Sequence, residues 1–178
     1  MLDDVCWWTE CLSVAKCGIR IKAHGPEHRC PFVVDASTSW GIGLVYGRKW
    51  LAWPLRDGWC SDSRDIGWAE MVALELAVLV AVQMGLFDAT LVMHSDNQGV
   101  VLAFAAGRSW GAHQNAVLCQ ILLLLYEHDL WLRMLWIPSA ENLADSPSHG
   151  LLPSGPRLPF PPKVPAYLRP FVGHAVAR

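Results

Sequence analysis

The chain contains no Cys-x-x-Cys pair, and its six cysteines, at 6, 11, 17, 30, 60 and 119, form no regular framework. That argues against a disulfide-stapled scaffold and for reduced thiols. A basic excess is absent too: the net charge is −2, with a pI near 6.4. A stand-alone nucleic-acid binder usually shows a strong positive balance, so any grip on a polynucleotide must be local, metal-mediated or supplied by a neighbouring domain. Long apolar runs are missing as well. The most apolar stretch, Met71 to Phe87, is interrupted by Glu75, Gln83 and Gly85, and falls short of the roughly 18 apolar residues of a spanning helix. It reads as a buried helix, and no membrane partner is expected. The start, Met1-Leu2-Asp3-Asp4, lacks the basic opening and apolar run of a secretory signal, so the expected setting is intracellular. Charged residues are few, at 17%. With 53% hydrophobic residues and a mean hydropathy of +0.26, the composition is that of a core-rich globular domain, which excludes disorder.

The 178 residues accommodate one ordinary domain with flanking segments. Residues 1–29, with Trp7, Trp8, Leu12 and Val14 at helical spacing, read as a connecting segment that ends in a polar loop around His24-Gly25-Pro26-Glu27-His28. His24, His28 and Cys30 lie close together, but a structural zinc site needs four ligands in a recognisable pairing, and a polar loop is the expectation. From residue 30 to 150 the pattern is that of a domain. Phe32-Val33-Val34-Asp35, Gly41 to Tyr46 and Trp50 to Trp53 predict three short strands in a meander. A helix is predicted over Ile66 to Met84, ending near Gly85, then a strand over Thr90 to Asp96 and a helix from Gln98 to about Ala106. After a break at Gly107 to Gly111 come a helix over Ala116 to His128, a fifth strand over Leu130 to Ile137, and a short helix or turn within Asn142 to Ser148. This order implies an α/β domain, a five-stranded mixed sheet flanked by helices. Residues 151–178 hold seven of the twelve prolines and are expected to run extended over the surface, or to be mobile, as a linker.

Two carboxylates close apolar strands, Asp35 and Asp96. Each has an ordinary explanation, Asp35 starting a turn before Ala36-Ser37-Thr38 and Asp96 capping a helix before Asn97-Gln98. An ionised carboxylate at the end of a buried strand is costly unless it is paired, hydrogen-bonded or on a metal, and two such positions coincide here. Glu70 sits early in the long predicted helix, with small Ala73 and Ala77 on its face that let the helix lie close to a sheet. Glu75 stands about 140° round the helix from Glu70 and is expected to face solvent. Asp145 comes after the last strand in Asn142-Leu143-Ala144-Asp145-Ser146-Pro147-Ser148.

Asp on the first strand, Glu on the first helix, Asp at the end of the fourth strand and Asp on the last helix: in that order the chain resembles ribonuclease H. Val34-Asp35-Ala36-Ser37 with a Gly-x-Gly after it, Ala69-Glu70-x-x-Ala73, His94-Ser95-Asp96-Asn97 and Asn142 to Gly150 are similar to the ribonuclease H domains of DIRS-type retrotransposons and hepadnaviral polymerases. The likeness spans about residues 31–150, and Arg157-Leu158-Pro159-Phe160 is similar to the stretch on the C-terminal side of that domain in such polymerases. The resemblance implies a ribonuclease H-like fold. It further implies that Asp35, Glu70, Asp96 and Asp145 hold two Mg²⁺ or Mn²⁺ ions to cut the RNA strand of an RNA:DNA hybrid, and that Asn97 and Gln98 face the hybrid's minor groove. An upstream reverse transcriptase domain of the same polyprotein is the implied partner. The sequence departs from those relatives in three places. Ser139 to Asn142 holds no histidine, His149 stands where an arginine is usual, and Gly107 to Gly111 carries only Arg108. Two other readings compete with this one. An integrase or transposase would place a glutamate late, where Asp145 stands, and would leave Glu70 without a role; a degenerate scaffolding domain would not need all four carboxylates.

Overall fold

Apolar strands bounded by glycine, proline and aspartate turns build one sheet, seen in the computed structural model, which describes Val5, Thr9 and residues 23–176. The Trp7, Trp8, Leu12 and Val14 pattern lies outside the described residues. Strands β1 (Phe32–Ala36), β2 (Gly41–Tyr46) and β3 (Lys49–Pro54) form the antiparallel meander, while β4 (Ala89–Ser95) and β5 (Leu130–Trp136) add in parallel on the other side of β1. The order is β3-β2-β1-β4-β5, a five-stranded mixed sheet flanked by helices, as the element order predicts. Chain direction departs to opposite sides at the β1/β4 pair. The carboxyl ends of two strands at such a switch point leave a crevice, and that is where α/β sheets take ligands.

Helix α1 (Ile66–Gln83) lies across one face of the sheet. Asp65 caps it, its side chain accepting from the Trp68 N–H at 3.0 Å, and Gly85, at φ 78°, ends it in the left-handed conformation expected of a helix C-terminus. It is apolar around most of its circumference because it is enclosed: Ala73 and Ala77 are fully buried in the core, the helix packs on the sheet, and helices α2 (Gln98–Ala106) and α3 (Ala112–Glu127) pack against it. By length and composition alone α1 is apolar enough to cross a membrane, but most of it is buried inside the fold. Helix α3 begins a turn earlier than the sequence predicts. Its first residues are polar and carry no apolar period, yet they are fastened. The Ser109 N–H donates to Asn115 Oδ1 at 3.0 Å, and Gln114 Nε2 donates to the Gly67 carbonyl at 3.1 Å, which ties this end to α1.

Two expectations are corrected. The segment from 151 onward has almost no regular structure, as its prolines require, yet it is not a loose linker: Leu158, Val164, Leu168 and Val172 are buried in the main core. Proline lacks an N–H but keeps its carbonyl. Pro156 O accepts from the Trp50 N–H at 3.3 Å, and the N–H groups of Leu158, Gly173 and Val176 donate to Trp50, Pro54 and Ala52. The tail thereby satisfies the outer edge of β3, which would otherwise expose unpaired backbone groups. Glu75, in turn, does not face solvent. It is 2% exposed, and the tail's Tyr167 donates its hydroxyl hydrogen to Glu75 Oε2. His24, His28 and Cys30 form no metal-ligand group among the described residues: His24 stacks on Trp131, and His28 Nε2 pairs with the Tyr46 hydroxyl at 2.7 Å.

Burial raises Glu75 to about 7, against the opposing effect of the Tyr167 hydrogen bond. A carboxyl whose folded value is raised contributes stability that is present below its unfolded value, near 4.5, and lost as pH rises through about 7. Glu75→Gln keeps an acceptor for Tyr167 without the charge. Thermal melts at pH 5 and pH 8 should therefore show the variant gaining on the parent at the higher pH, by on the order of 3 kcal/mol at most.

Candidate metal centre

The crevice at the β1/β4 switch point is an open cleft of about 400 Å³ with Asp35, Glu70, Asp96 and Asp145 in its walls. Each of the four arrives by a different route. Asp35 is the fourth residue of β1, paired across to Gly43 of β2, and its side chain lies on the face opposite α1's apolar contacts, toward the last short helix α4 (Asp145–Ser148). Asp96 is the first residue past β4. Its backbone is held in place, with Trp136 Nε1 donating to the Asp96 carbonyl at 3.0 Å, and the next residue's N–H donating to Ser95 Oγ at 3.1 Å. Glu70 points in from the second turn of α1.

One carboxylate oxygen from each of Asp35, Glu70 and Asp96 falls within 4.8 Å of the others. Asp145 is not in that group. It stands at the rim, more than half exposed, with His149 Nε2 3.7 Å from its Oδ1. Asn97 lines the cleft and also caps α2, its Oδ1 accepting from the Val100 N–H at 3.2 Å. Gln98, beside it, is exposed and outside the lining.

Crowding three acids at the edge of an apolar core disfavours their charged forms. Burial pushes Glu70 up to about 9, and the charges of Asp35 and Asp96 add to the effect; the Ala36 backbone and the Asn97 amide work against it. Asp35 is pushed up to about 7, chiefly by burial, with a hydrogen bond from Ser148 opposing and the charges of Asp96 and Asp145 reinforcing. Two polar side chains that sequence pattern does not single out are central here. Asn142 and Ser148 are both buried and both bonded to Asp35. Their placement around Asp145, three residues either side, is the one signal the sequence offers for them.

The donor set fits a hard divalent cation such as Mg²⁺ or Mn²⁺: every candidate ligand atom is a carboxylate oxygen, with neither thiolate nor imidazole in the cluster. The fit has a second, independent mark. Glu70 is 4% exposed, and its Oε2 has no hydrogen-bond partner, an arrangement too costly to hold as an anion without a cation or a proton.

Without divalent cation, the raised values of Glu70 and Asp35 contribute stability that is fully present only at acid pH, below their unfolded values. That contribution is lost as pH rises through about 7 and then about 9. Glu70→Gln should flatten this slope and raise the metal-free melting temperature at pH 8, and Mg²⁺ should raise the parent's while barely moving the variant's. Differential scanning calorimetry from pH 5 to 9, with and without Mg²⁺, reads both effects.

Comparison with known proteins returns little at the level of sequence. No protein-family model matches the chain, and no curated protein sequence matches it. Among solved structures, ribonuclease H1 from the halophilic archaeon Halobacterium salinarum NRC-1 aligns over 71% of this chain and 97% of its own, at 19% identity and a TM-score of 0.48.

Proposed function

We propose that the chain is a metal-dependent endonuclease that hydrolyses the RNA strand of RNA:DNA hybrids, working as the ribonuclease H part of a retroelement reverse transcriptase inside the cell. The observation that carries this reading is the meeting of Asp35, Glu70 and Asp96 in one open cleft, with a buried Glu70 oxygen that lacks a partner. The reverse transcriptase setting rests on the sequence strings around Asp35, Asp96 and Asp145.

On this reading Asp35, Glu70 and Asp96 hold the cation, and Asp145, on the rim, completes a second position. A bound divalent cation would lower the pKa of a water and offset the charge that builds on the phosphate and the leaving 3′ oxygen. The protein's share is to set the ligands out beforehand. Asn142 holds Asp35 and Asp96 together, and the cleft is open enough to admit a strand backbone. His149, beside Asp145 in the cleft wall, is placed to hold or pass a proton where the loop from Ser139 to Asn142 offers no imidazole. Asn97 has its oxygen committed to capping α2, so Gln98, exposed next to it, is the freer of the two to meet a 2′-hydroxyl in the minor groove.

The test is a cleavage assay on matched hybrid and DNA duplexes with Mg²⁺ and with Mn²⁺. Cutting confined to the RNA strand is expected, and cutting of both duplexes alike would refute the assignment. Asp96→Asn should abolish cleavage while leaving circular dichroism unchanged, since it removes a ligand charge at constant volume. Because the net charge is −2 and Arg108 stands alone in the Gly107 to Gly111 segment, the isolated chain should bind hybrid weakly at physiological salt. Lower salt, or restoring the upstream polymerase portion, should raise turnover on the same hybrid, as a salt series on both forms would show.

A further inference from the structure

We propose that Asn142 and Ser148 are positioning residues that fix the Asp35 carboxylate from both sides, so that the cation site is assembled only when the segment between them docks on the sheet. This deepens the metal-binding reading above and rests on it.

An aspartate's terminal torsion is broad, and a carboxylate at a strand end has no fixed orientation of its own. Here both oxygens are taken. Asn142 Nδ2 donates to Asp35 Oδ1 at 3.2 Å, and the Ser148 hydroxyl bonds Asp35 Oδ2. The Asn142 amide cannot be turned the other way round, because its Oδ1 accepts from the Ala144 N–H at 3.0 Å, which leaves Nδ2 facing the acids. That nitrogen lies 3.0 Å from Asp96 Oδ1 and 3.2 Å from the Val34 carbonyl as well. One amide therefore ties the ends of β1 and β4 together and places a partial positive charge between two like charges.

The segment can come this close because of Gly43, directly across from Asp35. A Cβ there would sit 2.4 Å from the Ala144 carbonyl oxygen and 2.6 Å from the Ser148 nitrogen. Ala144 and Ser148 are fully buried at the contact, and Ser37 Oγ donates to the Ser148 carbonyl at 2.9 Å. Asp145 lies between the two anchors, so the same docking that orients Asp35 also brings Asp145 to the rim. Groups of this kind, which hold a ligand without touching the metal, typically change affinity by about 10- to 100-fold when removed.

The experiment is Mn²⁺ titration by calorimetry on the full chain, well below each protein's melting temperature, with metal-free melting temperatures measured separately. Asn142→Ala and Ser148→Ala should each weaken Mn²⁺ binding by about 10- to 100-fold in protein that is still folded. A purely structural role would lower the melting temperature and leave the affinity of the folded protein alone, so affinities within twofold of the parent would overturn the proposal. Ser148→Ala keeps the Asn142–Ala144 turn and carries the test should Asn142→Ala fail to fold. If neither variant folds, the residues serve the fold and not the ligand, and the proposal falls. A parent chain that binds no Mn²⁺ would instead sink the functional reading on which it stands.

Discussion

Three carboxyl groups held within 4.8 Å of one another at the edge of an apolar core repel each other and resist losing water, and the rest of the site is arranged around that cost. The sheet supplies two of the acids at the ends of adjacent parallel strands, where backbone positions are rigid, and α1 supplies the third from a helix too enclosed to move aside. Partial compensation comes from neutral donors: the Asn142 amide, the Ser148 hydroxyl, the Asn97 amide and the Ala36 backbone. These reduce the repulsion without cancelling it. The raised values of Asp35 and Glu70 mark what remains, and a hard cation is the species whose charge matches it.

The same helix ties this site to the far end of the chain. Glu70 and Glu75 lie on different sides of α1, one toward the cleft and the other under the proline-rich tail. Both are buried and both are shifted upward, but their surroundings differ. Glu70 has like-charged neighbours and an oxygen with no partner, whereas the shift of Glu75 comes from burial alone, opposed by a tyrosine hydroxyl. A raised carboxyl is thus not in itself a mark of a metal site. The neighbours decide.

Element order is legible in the sequence because glycine, proline and aspartate punctuate the apolar runs, as at Asp65 and Gly85 around α1. Asp35, Glu70 and Asp96 stand out because a charge at the end of an apolar strand, or on an apolar helix, is locally anomalous. The convergence of those three comes from a topology that the element order already constrains. Local pattern cannot reach interactions across long separations. Tyr167 lies 92 residues from Glu75, Ser148 lies 113 from Asp35, and neither pairing leaves a trace in the spacing of either segment. The tail misleads for a related reason: counting prolines scores missing donors, while its anchoring works through carbonyl acceptors and isolated apolar side chains.

That anchoring bears on how the chain can fold during synthesis. The outer edge of β3 is completed by residues 156–176, and the buried Glu75 carboxyl on α1 receives its hydrogen bond from Tyr167. While a ribosome still conceals those residues, the emerged sheet has an open edge at β3 and Glu75 lacks its tyrosine partner, so the emerged part stays incompletely closed until that segment follows. Such open intermediates are where strand edges find wrong partners.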